Sequence, residues 1–407
     1  MNQHGIVIIG AGEAGTRAAL ALRERGFAGP VRLIGAEHYA PYERPPLSKA
    51  TLTGEGGGLP AIAADFSAHS ILFTPGIRVN AIDRAARRLH LEGGGEVAYG
   101  HLILATGASA RKLPVPGGEL AVTLRDFDDA KTLREKFRAG QRILVIGGGF
   151  IGLELAASAR QLGCEVIVLE SQLRLLARTV PTELAEILAA RHRAEGVRIL
   201  CGAGLSHVQK TAGGLETVMA DATVLAADCI IAGIGAAPDT ALAAAAGLDI
   251  DNGIAVDSHL ATPDPHISAI GDCAAFPHPR DPARRIRLEA WRNAQDQGNY
   301  LAGHLTGEAG AYAGTPWFWS GQYDLHLQIA GLADGAVQTV TRVTGPDARI
   351  LFHLDAAGRL IAASGLGPLS QVAREMRLAE MLVAQGVVVA AAALADPATK
   401  LKQLLRG

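Results

Sequence analysis

A strand, a glycine turn and a helix, met twice in one chain, constrain this sequence more than any other feature. The first copy is Gly5-Ile-Val-Ile-Ile-Gly-Ala-Gly-Glu-Ala-Gly15, an apolar run followed by Gly10, Gly12 and Gly15 in the spacing G-x-G-x-x-G. Thr16 to Arg25 behind it reads as a helix with an alanine- and leucine-rich inner face. A dinucleotide fingerprint needs that context. Gly10 would make the tight turn, Gly12 would admit a pyrophosphate to the backbone, and Gly15 would let helix and strand close together. The helix N-terminus would then face the phosphates. With 49 glycines in the chain, the spacing alone would mean little. The second copy, Arg142-Ile-Leu-Val-Ile-Gly-Gly-Gly-Phe-Ile-Gly152, repeats it at Gly147, Gly149 and Gly152. Ala14 and Ile151, each just before a third glycine, are expected to line the two loops. Two dinucleotides are therefore expected, one that stays bound and one that comes and goes.

At 407 residues the chain is expected to form two or three domains. A net charge near −2 points to neither nucleic acid nor an anionic membrane surface. No apolar run approaches the roughly 20 residues of a membrane span. The N-terminus enters the first strand with no basic segment or small-residue cleavage site, so no signal peptide is read. Cys164, Cys201, Cys229 and Cys273 lie far apart, without C-x-x-C or C-x4-C. That spacing speaks against a redox dithiol or a metal cluster. Each is expected to fill space as a small buried hydrophobe, as suits a reducing cytoplasm.

Several residues stand where chemistry could be done. Glu37 follows the strand Val31–Gly35, where an acid would accept hydrogen bonds from ribose hydroxyls, unless it is a solvated loop acid. Tyr42-Glu-Arg-Pro-Pro-Leu-Ser-Lys49 holds two prolines that favour an extended backbone, and carries Arg44 and Lys49. It reads as a rigid cation-bearing loop or an ordinary proline turn. Gly76–Ile82 reads as a strand, Leu89–Leu91 and Glu96–Ala98 as a hairpin, and Thr51–Pro60 as a glycine-rich loop. His101–Gly107 is a buried strand ending in Ala105-Thr106-Gly107. Glu170 closes the strand Glu165–Glu170, where a carboxylate binds ribose hydroxyls and repels a 2′-phosphate, favouring NADH over NADPH. Glu154 follows Gly152, where the helix dipole alone would favour an acid. Gly235, in Ile230–Pro238, is counted with the second nucleotide loop. Asp272 follows a strand and a glycine in Ile267–Cys273.

Paired fingerprints around the Tyr42–Lys49 loop resemble the flavin-dependent ferredoxin reductases of bacterial oxygenase systems, over nearly the whole chain. The resemblance implies an α/β fold with two Rossmann-like dinucleotide-binding domains, glutathione-reductase-like, and a small α+β C-terminal domain. It implies a discontinuous FAD domain at 1–116 and 238–315, an NADH domain at 117–237 and a C-terminal domain at 316–407. Arg44 and Lys49 would approach the flavin. Val79 would meet the adenine end of FAD, Ala105, Thr106 and Gly107 would lie beside the cofactor, and Asp272 would bond a ribityl hydroxyl. Arg125 would contact the flavin, or else be a surface arginine. Glu154 would stand near the nicotinamide facing Lys49. Trp291, in Arg287-Leu-Glu-Ala-Trp-Arg-Asn-Ala294, would present backbone to the flavin, or else be a buried structural tryptophan. Several relatives have acids where this chain has Ala36 and Gly321, so the ribose role falls to Glu37.

NADH would deliver a hydride to FAD, and electrons would leave singly to a [2Fe-2S] ferredoxin serving a cytochrome P450 or a ring dioxygenase. A cytoplasmic monomer or weak dimer, with no resident metal, is expected. The alternatives are an NADH-dependent disulfide, peroxide or oxygen reductase, against which the cysteine spacing speaks, and a dinucleotide-sensing flavoprotein of the apoptosis-inducing-factor kind. Pro316-Trp-Phe-Trp-Ser-Gly-Gln322 opens the C-terminal domain, followed by four strands and two helices; Trp317 and Trp319 read as core or as electron path. Arg284, Arg285, Arg287 and Arg292, with Arg374 and Arg377, are the candidates for a basic docking face, or solvated surface charges.

Overall fold

The computed structural model describes residues 4–54, 57–62 and 64–405. The chain forms two compact units: one made of residues up to Glu43, Leu59–Ser109 and Ala236–Gly314, the other of Arg44–Gly58, Ala110–Gly235 and Thr315 onward.

The first unit is built on a parallel sheet with the first fingerprint strand at its centre. Its order is Ile267–Ala269, His101–Leu104, Ile6–Ile9, Val31–Ile34 and Ile71–Thr74. Ile8, Leu33 and Ile103 are fully buried, as continuous apolar runs covered on both faces require. The helix Glu13–Glu24 packs on Trp291–Leu305. A Cβ at Gly298 would lie 2.8 Å from the Ala14 carbonyl oxygen, so the two helices cross backbone to backbone. Val79–Asp83, Arg88–Leu91 and Glu96–Ala98 form an antiparallel meander.

The second unit repeats the plan. Its parallel sheet runs Arg198–Cys201, Glu165–Glu170, Arg142–Ile146 and Cys229–Ala232. The helix Phe150–Gln161 follows its fingerprint. From residue 317 comes a five-stranded antiparallel sheet in the order Trp317–Gln322, Leu325–Gly331, Leu360–Gly367, Ala348–Leu354, Gln338–Gly345. The helix Leu369–Gln385 packs on it and ends at Gly386, whose left-handed φ of 59° suits a C-cap glycine. No described helix is long and apolar enough to cross a membrane.

The structure departs from the sequence reading at five places. Pro45–Ser48 is a 3-10 turn, not extended chain: proline's fixed φ fits the first turn of a helix, and Ala50–Thr53 then makes one α-turn. The reading of Thr51–Pro60 as one loop therefore fails at its start, and Glu55 and Gly56 within it lie outside the described residues. Ile71–Thr74, too short to stand out, adds the edge strand of the first sheet. The chain ends in three helical segments, the last two only Ala391–Ala395 and Leu401–Leu404. Cys164, Cys229 and Cys273 are buried, but Cys201, on an edge strand, is exposed.

Candidate functional site

The first fingerprint folds into a cradle that only glycine can make. Gly10 has φ +109°, and a Cβ there would lie 2.1 Å from the Ala105 carbonyl oxygen. A Cβ at Gly15 would meet the Gly10 carbonyl oxygen at 2.0 Å, which fixes helix against strand. At Gly12 no atom lies within 4 Å of the missing Cβ, and this residue caps the helix with no side-chain hydrogen bond. Open space over an uncapped first turn is the space a pyrophosphate needs. Gly107 has φ +74°, and Thr106 Oγ1 donates to the Asp239 carbonyl at 2.6 Å.

Ala14 is buried, its Cβ 2.9 Å from where a Cβ of Gly271 would stand and its carbonyl oxygen 2.8 Å from where a Cβ of Gly298 would. Glu37 Oε2 accepts the Tyr42 hydroxyl at 2.5 Å. Val79 is buried at the start of its strand. Asp272 lies in the 3-10 turn Gly271–Cys273 and Trp291 opens its helix. Reading the sequence missed Gln297: fully buried, it accepts the Gly271 N–H through Oε1 at 2.7 Å, and its Nε2 has no partner among the described residues. A buried amide donor beside the Asp272 turn fits a hydroxyl-rich ligand.

The second fingerprint repeats the device. Gly147 also has φ +109°, with the Gly233 carbonyl oxygen 2.4 Å from its missing Cβ, and a Cβ at Gly152 would lie 2.1 Å from the Gly147 carbonyl oxygen. A Cβ at Gly149 would come no closer than 4.0 Å to the Gly233 carbonyl oxygen. Glu170 ties loop to strand: Oε2 accepts the Gly148 N–H and Oε1 the Gln172 N–H, each at 2.7 Å. Ile151 is 45% exposed beside the loop, and Arg178 Nη2 comes within 3.9 Å of where a Cβ of Gly235 would stand. Arg174 is spent on the carbonyls of Leu175, Ala177 and Val180.

Glu170→Gln is expected to narrow the preference for NADH over NADPH, because the amide neither repels a 2′-phosphate nor accepts from ribose as strongly. A lost charge-assisted hydrogen bond of about 1.5–3 kcal/mol corresponds to a shift of roughly ten- to a hundredfold in the ratio of kcat/KM values. An unchanged ratio by steady-state kinetics would contradict this role.

Glu154 lies in the second turn of the Phe150–Gln161 helix and is 4% exposed. Its Oε2 lies 2.5 Å from Lys49 Nζ and accepts Ser48 Oγ at 2.5 Å; its Oε1 accepts Ser320 Oγ at 2.6 Å. Lys49, 32% exposed in its side chain, also donates to Ser48 Oγ and the Pro45 carbonyl. Ser158 Oγ donates to the Ser48 carbonyl at 2.6 Å, so the 3-10 turn is fastened to the same helix. The Arg44 guanidinium donates to the Arg125 carbonyl, which brings those two residues together. An ammonium facing a buried, multiply hydrogen-bonded carboxylate is a fixed dipole suited to orienting a polar ring.

Of the basic residues, Arg284 and Arg285 lie on the exposed strand Asp281–Ile286. Arg287 is held by the carbonyls of Asn252 and Asp272 and by Glu289, and Arg292 pairs with Asp296 one turn on.

Two nucleotide cradles in tandem, followed by an α+β C-terminal region, define a pyridine-nucleotide oxidoreductase, and the chain belongs to the pyridine nucleotide-disulphide oxidoreductase family. That family's profile matches residues 4–298, and a reductase C-terminal profile matches residues 317–405. The chain is 40% identical, over the full length of both proteins, to the ferredoxin–NAD(+) reductase component of the anthranilate 1,2-dioxygenase system of Burkholderia cepacia. It is 44% identical to rhodocoxin reductase of Rhodococcus erythropolis, over 83% of this chain and 80% of that one. The crystal structure of the covalent putidaredoxin reductase–putidaredoxin complex superposes with a TM-score of 0.93 at 33% identity, covering 100% of this chain and 99% of that one.

Proposed function

We propose that the protein is a flavin-dependent NADH:ferredoxin reductase. The first cradle, with Glu37, the Ala105–Gly107 turn and Asp272, would hold FAD in the 1–116 and 238–315 domain. The second, with Glu170, would hold NADH in the 117–237 domain. FAD supplies the chemistry that joins two-electron donors to one-electron acceptors. The chain's own part is to bind, orient and tune. Lys49 and Glu154 fix the electrostatics near the nicotinamide, and no proton transfer is asked of them. Electrons pass to a [2Fe-2S] ferredoxin that serves a cytochrome P450 or a ring-hydroxylating dioxygenase, in the cytoplasm, from a monomer or weak dimer. The observation that carries this reading is the matched pair of glycine cradles, each backed by a main-chain carbonyl, with Glu37 three residues past the strand that follows the first and Glu170 closing the strand that follows the second.

Ferredoxins of this kind are acidic, and Arg284 and Arg285 are the basic residues proposed to meet one. Steering between exposed charges is screened beyond about 10 Å at 0.1 M salt. Ferredoxin reduction is therefore expected to slow as salt rises, while ferricyanide reduction changes far less. Reversing both arginines to glutamate will raise KM for ferredoxin by about tenfold and leave NADH oxidation by the flavoprotein intact. If stopped-flow shows flavin reduction by NADH falling equally, the strand belongs to the fold and not to docking.

A further inference from the structure

Glu154 is the end of a longer chain of buried polar groups. Beyond Ser320 lies Gln322, whose Nε2 is 3.1 Å from Ser320 Oγ, and beyond it His192, whose Nε2 is 2.7 Å from Gln322 Oε1. Tyr323 closes the row, its hydroxyl 3.3 Å from His192 Nδ1. Ser320, Gln322 and His192 are buried.

Working outward from the carboxylate fixes every proton. A carboxylate only accepts, so Ser320 gives its one proton to Glu154 Oε1. The Ser320 oxygen then accepts from the Gln322 amide, which turns the Gln322 carbonyl toward His192. His192 must carry its proton on Nε2, and its Nδ1 is left as the acceptor for Tyr323. Burial, the largest influence, lowers the His192 pKa, which is consistent with a neutral ring carrying one proton. Every donor points toward Glu154.

The glutamine decides what this row can do. An amide neither loses nor gains a proton near neutral pH, so the row cannot conduct protons from Glu154 to Tyr323. It can orient. A fully satisfied buried network rigidifies what it holds, whereas one lost member leaves its neighbours free to turn. We infer that Ser320, Gln322 and His192 are positioning residues for Glu154, a one-way hydrogen-bond chain by which the C-terminal sheet fixes the carboxylate opposite Lys49. Gln322 and His192 act only through Ser320. The inference rests on the reading of Lys49–Glu154 as the nicotinamide-side pair.

The test is a double-mutant cycle on the flavin-loaded protein, read as the rate of flavin reduction by NADH, together with the tautomer of His192. Ser320→Ala, which deletes one oxygen, is expected to slow that step by about tenfold, the worth of a hydrogen bond to a charged group. Gln322→Leu slows it comparably. The double variant is no slower than Ser320→Ala alone, because Gln322 has nothing left to orient. Histidine-selective 15N spectra of the NADH-free protein, with His192→Asn identifying the signal, show the Nε2–H tautomer, lost in Gln322→Leu. Additive losses, a parent-like Ser320→Ala, or an Nδ1–H tautomer would each overturn the chain. If the parent itself fails to oxidise NADH, the functional reading falls, while the tautomer still tests the bookkeeping of protons.

Discussion

Gly10→Ala protein will purify without its flavin, whereas Gly147→Ala protein will stay yellow and lose its hold on NADH. The two glycines share φ +109° and a main-chain carbonyl behind them, 2.1 Å and 2.4 Å from where a methyl group would stand. No rotamer relieves such a clash, since both partners are backbone. An alanine there adds roughly 1–2 kcal/mol of left-handed strain, and the turn must open besides. Opening it displaces the stretch that a pyrophosphate would line. A loss of at least about a hundredfold in affinity at the affected cradle is expected, the equivalent of about 3 kcal/mol. Absorbance of the purified protein and of the supernatant after denaturation measures FAD; titration with NAD+ measures the second cradle. The paired design separates site from fold, because each variant keeps the other cradle intact. A Gly147→Ala protein with parental KM for NADH would remove the second fingerprint from nucleotide binding.

Arg342→Met will destabilise the C-terminal region by about 2–4 kcal/mol, well above the effect of an ordinary surface change. Arg342 is 1% exposed. Its guanidinium donates to the carbonyls of Leu394 at 2.7 Å and Ala393 at 3.1 Å and to Glu375 at 2.9 Å, over the face of Phe352. The Ala391–Ala395 helix is one turn long and cannot satisfy its own last carbonyls. Methionine fills much of the volume but leaves those carbonyls unbonded and Glu375 without its cation. Thermal unfolding will show the loss, and limited proteolysis will show cleavage at Lys400 or Lys402 rising with it. An unfolding midpoint within a degree of the parent would mean that the arginine merely fills space.

Much of the cradle geometry was legible because it is local. Gly10, Gly12 and Gly15 answer to a turn a few residues long, and Glu170 is named by its place at a strand end. The Glu154 cluster was not legible in the same way. Ser48, Glu154, His192, Ser320 and Gln322 are ordinary polar residues spread over 275 positions, with no period linking them. The approach of Lys49 to Glu154 came from family resemblance and not from spacing. The tethering of Arg287 was not legible, because a sequence does not show a carbonyl such as that of Asn252 folding back onto a guanidinium. The pairing of Arg292 with Asp296, four residues on, could have been read as a helical ion pair. At Pro45–Ser48 the general preference for extended chain around proline lost to helical geometry that proline tolerates at a first turn.

The fastening of Pro45–Ser48 to the Phe150–Gln161 helix has a kinematic consequence. Ser48 is held at two points, its carbonyl by Ser158 and its hydroxyl by Glu154, one helical turn apart. Two attachments remove the swivel that a single one would leave. Lys49 is the next residue, so the ammonium travels as cargo of that helix: any tilt or slide of the helix carries cation and carboxylate together, and their separation is conserved through the stroke.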